Sequence, residues 1–293
     1  MPRVAVNTGI DIEFETFGEA TSPTLLLISG FTAQLTSWPV GLCSLFADQG
    51  YHVIRFDNRD CGLSTKLDAA KVDSDAVIAA ALMEQPIPAV PYTLSDMASD
   101  AVGLLSALNI EKAHVMGASM GGMIAQTVAI EHPQRVLSLT SVMSQPGEPE
   151  VGQPTPEAME SFFTVPPTTR DEYIESSKNW LVWHSKKYRD VQRTREQAAF
   201  DFDRSFYPAG APRQLAAIYA SGRRTAGLSQ LAMPTLVIHG LDDTLISPDG
   251  GERTAEIVPG AKLVMLADMG HDLPEPLWPK FVDEFVELVA RTY

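Results

Sequence analysis

The sequence predicts an α/β fold with a mostly parallel central sheet flanked by helices. Three observations predict it. Short apolar runs alternate with helix-periodic segments, as βαβ units require. Several runs are apolar at nearly every position, which fits strands covered on both faces. The chain has 293 residues, of which 45% are hydrophobic and 20% charged, enough to bury such a sheet in a globular protein.

The elements follow in order. Residues 11–17 carry Ile12, Phe14 and, less cleanly, Thr16 at every second position, so they read as an edge strand in an antiparallel hairpin with residues 4–6. Residues 24–28 and 52–56 are continuous apolar strands that end at Ser29-Gly30 and at Asp57. Thr93-Leu94-Ser95-Asp96 has the pattern of a capping box, and Met97, Ala101, Leu104, Leu105 and Leu108 then recur at helical spacing. Residues 114–116 read as a strand, and residues 120–131 as a helix halted by Pro133. Residues 136–142, 235–238 and 262–266 are further strands, and the last helix carries Phe281, Phe285, Leu288 and Val289 on one face.

Between residues 144 and 210 the texture changes. Prolines crowd its start, and helical segments rich in Trp180, Trp183, Tyr173, Tyr188, Phe200 and Phe202 follow. This predicts a helical cap (144–210) inserted after the sixth strand into a core formed by residues 1–143 and 211–293. Phe162, Phe163, Trp180, Trp183 and Tyr207 are expected to divide between the cap's own core and the pocket wall.

Charge excludes some partners. Thirty-seven acids against 22 bases give a formal net charge of −15. The densest basic stretch, Lys186-Lys187-Tyr188-Arg189, is followed at once by Asp190. Such a surface repels a phosphate backbone, so no nucleic-acid partner is expected. No apolar stretch reaches the ~18 residues that cross a bilayer, so no membrane partner is expected either. Cys43 and Cys61 are too few for a disulfide framework or a metal cluster, and no basic segment leads into an apolar run at the start. These features predict free thiols and a cytoplasmic location, as a monomer or homodimer.

The chemistry centres on Gly117-Ala118-Ser119-Met120-Gly121, a G-x-S-x-G pentapeptide. Alone it arises by chance in roughly one chain in ten of this length. Here a strand leads in and a helix leads out, the setting the motif requires. A sharp strand-to-helix turn lifts the Ser119 hydroxyl above the sheet, and Gly117 and Gly121 leave room for the neighbouring backbone. Two partners follow in the order this arrangement needs. Asp243 stands three residues past Gly240, after a strand, and His271 follows the last strand in Met269-Gly270-His271. Asp242 is the competing acid. In this reading Ser119 attacks a carbonyl, His271 accepts its proton, and Asp243 orients the imidazole. An oxyanion hole needs two backbone N–H groups, expected from Met120 and from Phe31 after the turn at Gly30. His239 is expected to bond a loop, and His114 to be packed; no ligand spacing suggests a catalytic metal, and no cofactor is expected.

These segments resemble the α/β-hydrolase superfamily over nearly the whole chain. The resemblance lies in residues 27–31, 56–64 and 115–122 and in the surroundings of Asp243 and His271. Within that superfamily the chain is similar to small bacterial carboxylesterases of the aclacinomycin methylesterase type. One departure is Ser29-Gly30, where many relatives have His-Gly. The resemblance implies a carboxylesterase-type serine hydrolase acting on a small to medium ester. The same triad also supports acyl transfer, lactone opening, C–C cleavage and aminopeptidase work, and a ligand-binding receptor can retain it. The shared segment 57–64 is expected to be structural, with Asp57, Arg59 and Ser64 tying down a loop beside the pocket.

Overall fold

The centre of the computed structural model, which describes residues 2–290, is an eight-stranded sheet. Its strands are β1 (Arg3–Ala5), β2 (Asp11–Phe17), β3 (Thr24–Ile28), β4 (His52–Phe56), β5 (Ala113–Ala118), β6 (Val136–Val142), β7 (Thr235–Gly240) and β8 (Lys262–Leu266). They lie in the order β1-β2-β4-β3-β5-β6-β7-β8. β1–β2 and β2–β4 are antiparallel, and all other pairs are parallel. The hairpin forms as the sequence suggests, with Val4 opposite Ile12. The edge is β1, however, and β2 lies one strand inside it, because its second side pairs with β4.

The continuous apolar runs have a direct cause. Leu26 and Ile28 of β3 enter the core on one face of the sheet, and Leu25 and Leu27 enter the core on the other. The first core packs against α3 (Leu94–Ala107) and α4 (Met120–Glu131). The second packs against α1 (Val40–Asp48) and α11 (Trp278–Val289). Phe281 and Phe285 of α11 are fully buried. Each such side chain contributes roughly 1.5–3 kcal/mol by leaving water. Thr93 and Asp96 form the capping box predicted for α3.

The remaining helices are α2 (Ser74–Leu82), α5 (Pro156–Phe162), α6 (Arg170–Ser176), α7 (Val191–Ser205), α8 (Ala211–Ser221), α9 (Thr225–Leu228) and α10 (Pro248–Ile257). Among the described residues, segment 144–210 holds helices and no strand, and it enters after the sixth strand as predicted.

Strand order fixes where a site can form. From β3 the chain steps to β4 on one side, then crosses to β5 on the other. The loops after β3 and β5 therefore diverge at their carboxyl ends, where open α/β sheets bind ligands. Ile28 lies opposite Gly117, which sets the turn after β3 beside the turn after β5.

Candidate active site

Ser119 occupies the turn between β5 and α4 with φ +58° and ψ −124°, a conformation that L-residues avoid. Its backbone is held on both sides. Ser119 N donates to Val142 O at 2.9 Å, and its carbonyl accepts from Gly122 N and Ser144 Oγ, each at 2.9 Å. The flanking glycines are compulsory. A Cβ on Gly117 would lie 2.0 Å from Gly121 O, and one on Gly121 would lie 2.1 Å from Ile28 O. Gly30 faces the serine directly, since its Cβ would come within 3.2 Å of Ser119 Cβ.

The loop after β3 is fastened by polar side chains. Asn58 Nδ2 donates to Ser29 O at 2.9 Å, and Thr32 N donates to Gln214 Oε1 at 2.8 Å. Among the described residues, no acceptor engages the backbone N–H of Phe31 or Met120. The Phe31 ring packs on Phe162 of α5 with centroids 5.1 Å apart.

Asp243 follows β7 and is buried. Its Oδ2 accepts His271 Nδ1 at 2.7 Å, and its Oδ1 accepts Leu245 N and Ile246 N, each at 2.9 Å. Burial pushes this carboxyl upward, but the charge on His271 and the bonds from His239 and His271 outweigh it and hold it down at about 2. Asp242 turns the other way. Its carboxylate pairs with Lys186, both through the ammonium and through the backbone N–H, each at 3.0 Å. Of the two competing acids, then, Asp243 is the one bonded to His271. Ser119 and His271 are both partly exposed.

The loops bearing Asp243 and His271 are tied to each other. Asp242 N donates to Met269 O at 2.9 Å, and a Cβ on Gly240 would lie 2.2 Å from that same oxygen. Both loops are also gripped by residues 182–187, which sequence reasoning missed. Thr244 Oγ1 donates to Val182 O at 3.0 Å, and His271 N donates to Trp183 O at 2.6 Å. Ser185 N donates to Asp272 Oδ1 at 3.0 Å, and Ser185 Oγ to Asp268 O at 2.7 Å. Lys187 Nζ pairs with Asp268 at 2.7 Å. The only local signal was the basic stretch beginning at Lys186. His184 lies in this strap; burial first, then the positive charges of His271 and Arg189, lower its pKa to about 4.

The segment 57–64 is the bonded loop that the sequence suggests. Asp57, fully buried, accepts Leu35 N and Leu63 N at 2.7 Å and pairs with Arg204 of α7 at 2.8 Å. Arg59 pairs with Asp100, and Ser64 Oγ donates to Asp57 O at 2.6 Å. Cys43 and Cys61 are free and buried. His114 is packed, its Nδ1 within 2.8 Å of Ser138 Oγ. Among the described residues, no group of three or more His, Cys, Asp or Glu side chains is disposed to hold a metal ion. Nor, among the described residues, is any helix long and apolar enough to cross a membrane.

Known proteins resemble this chain in sequence and fold. A family model for the alpha/beta hydrolase fold matches residues 23–275. Rhodomycin D methylesterase of Streptomyces peucetius is 28% identical over 302 residues, covering 94% of this chain and 95% of that protein. A putative carbamate hydrolase of Variovorax paradoxus is 24% identical and covers 89% of each chain. The enol-lactonase of Burkholderia xenovorans superposes with a TM-score of 0.73 at 23% identity, covering 99% of this chain and 100% of that one.

Proposed function

The chain belongs to the alpha/beta hydrolase fold family, and from that premise we propose that it hydrolyses a small to medium carboxylic ester through an acyl-enzyme on Ser119. Ester hydrolysis is the chemistry of its methylesterase relative, as named. The observation that carries the proposal is the 2.7 Å bond from His271 Nδ1 to buried Asp243, on loops tied to each other at the carboxyl end of the sheet that bears Ser119. With Nδ1 committed to the carboxylate, Nε2 is the nitrogen left to take a proton from the serine.

In this mechanism Ser119 Oγ attacks the ester carbonyl as His271 Nε2 removes its proton. The tetrahedral oxyanion is received by the free N–H groups of Phe31 and Met120. Met120 N is also the first amide of α4, where the helix dipole favours negative charge. Collapse expels the alcohol, protonated by His271, and leaves an acyl group on Ser119. Water, deprotonated by His271, then releases the acid. Asp243 stays ionised and stabilises the imidazolium at each step. Segment 144–210 is the cap over this site, and Phe31 with Phe162 forms an apolar wall beside the oxyanion donors. The two buried thiols suit a reducing compartment, the cytoplasm in this reading.

The test is labelling with a fluorophosphonate probe and peptide mapping, alongside turnover of p-nitrophenyl esters of increasing chain length. Labelling at Ser119 is expected, with a chain-length preference that sizes the acyl pocket. Ser119→Ala is expected to lose both labelling and, by several orders of magnitude, turnover. Wild-type turnover in Ser119→Ala would overturn the proposal.

A further inference from the structure

Asp243 is approached by a second imidazole that the proposed mechanism does not use. His239 stands within β7 and is fully buried. Its Nε2 is 2.8 Å from Ile246 O and 3.3 Å from Asp243 Oδ2. Both neighbours are acceptors, so Nε2 is the nitrogen that carries the ring hydrogen; it bonds Ile246 O, and Asp243 Oδ2 stands within reach of the same N–H. Nδ1 is buried and has no partner among the described residues. It faces α10, where a Cβ on Gly251 would lie 2.4 Å away. A side chain there would expel the ring, so Gly251 is what lets His239 lie flat against the helix.

The Asp243 carboxylate is thereby fixed on every side. Oδ1 accepts two backbone N–H groups at 2.9 Å. Oδ2 accepts His271 at 2.7 Å and faces His239 at 3.3 Å. We propose that His239 is a positioning residue for the Asp243–His271 pair: its Nε2–H occupies the second lone pair of Oδ2, so the carboxylate neither rotates nor draws the proton off His271. The catalytic part of this inference rests on the esterase reading; the hydrogen-bonding part does not.

Three variants test it. His239→Gln carries an amide N–H close to where Nε2 stands. His239→Leu fills a similar volume and donates nothing. His239→Asn is polar but too short to reach Asp243. Each is followed by thermal unfolding, by kcat and KM on an activated ester, and by the low-field proton resonance of His271 Nδ1, assigned through its absence in His271→Ala. Leu and Asn are expected to move or broaden that resonance and to lower kcat roughly 10- to 100-fold at unchanged KM, the scale of one hydrogen bond to a charged group. Gln is expected to restore the resonance and most of kcat. If Leu does not fold, the contrast between Gln and Asn decides.

An unmoved His271 resonance with wild-type kcat in the folded Leu or Asn variant would overturn the proposal. So would a Gln variant that folds stably yet is as impaired as Asn. Should the wild-type protein turn over no ester at all, the resonance alone still decides the role of His239. That result would count against the esterase reading and not against this one.

Discussion

Asp242 and Asp243 are chemically identical neighbours, and what separates them is what their carboxylates bind. Asp243 is buried against two imidazoles and two backbone N–H groups, whereas Asp242 holds Lys186, whose ammonium is mostly in water. Asp243→Asn should therefore lower kcat roughly 10⁴-fold, because an amide favours the wrong tautomer of His271. Asp242→Asn should stay within about fivefold, the scale of a surface ion pair. Steady-state turnover of one activated ester measures both, and equal losses would reassign the acid. At this scale the sequence was legible where geometry follows from spacing. The strained turn at Ser119 was readable because a strand, a glycine-flanked turn and a helix meet there. That Asp243 rather than Asp242 bonds His271 was readable from its distance past Gly240. The bond expected from His239 to a loop is present at Ile246 O. Its approach to Asp243 was not readable, since spacing gives no ring orientation.

Elements, rather than residues, carry the strain of the turn at Ser119. The backbone is forced to φ +58° by three close approaches: Gly117 to Gly121, Gly121 to the end of β3, and Gly30 to Ser119 itself. Gly121→Ala puts a methyl group 2.1 Å from Ile28 O, a backbone atom that cannot step aside. The expected cost is about 3 kcal/mol or more, at the upper end for overpacking. Thermal unfolding reads it, and a variant with unchanged Tm would show that the strand and helix can separate. The strands and the long helices were legible because burial on two faces, or on one stripe, writes its period into the sequence. The strap at residues 182–187 was not. Its partners stand roughly 55 to 90 residues further on, and most of its bonds have a backbone atom, which every residue type possesses, on one side. Lys186 and Lys187, which read as a short basic stretch, are neutralised by Asp242 and Asp268 of the two loops that bear Asp243 and His271.

Across the whole molecule, acidification sets two effects against each other. The chain carries a formal charge of −15, so adding protons relieves repulsion and favours the folded state. Against this stand imidazoles that fold in their neutral form. Burial lowers the pKa of His114 from 6.5 to about 4, and lowers that of His52 as well. His184 is also lowered to about 4, by burial and then by His271 and Arg189. The sign follows from linkage. The unfolded chain takes up these protons below about pH 6.5 while the native state does not, so stability is full above that pH and is lost as pH falls toward 4. His114 is fully buried between Tyr51 and Phe285, ring centroids 6.0 and 5.6 Å away, and its Nε2 is buried without a partner among the described residues. Its shift alone corresponds to about 3 kcal/mol at the acid end. Individual surface charges act at tenths of a kcal/mol, so the buried imidazoles win. Asp243 adds a further loss only lower down, below about pH 4, because its carboxylate is held ionised to about 2. The protein is therefore expected to lose stability between pH 6.5 and 4.5, with Tm falling by about 5 °C or more. His114→Gln keeps a hydrogen-bonding side chain beside Ser138 but cannot take up that proton, so its Tm should fall less steeply over the same range. A flat wild-type Tm there, or an equal slope in the variant, would place control of acid stability with the surface charge instead.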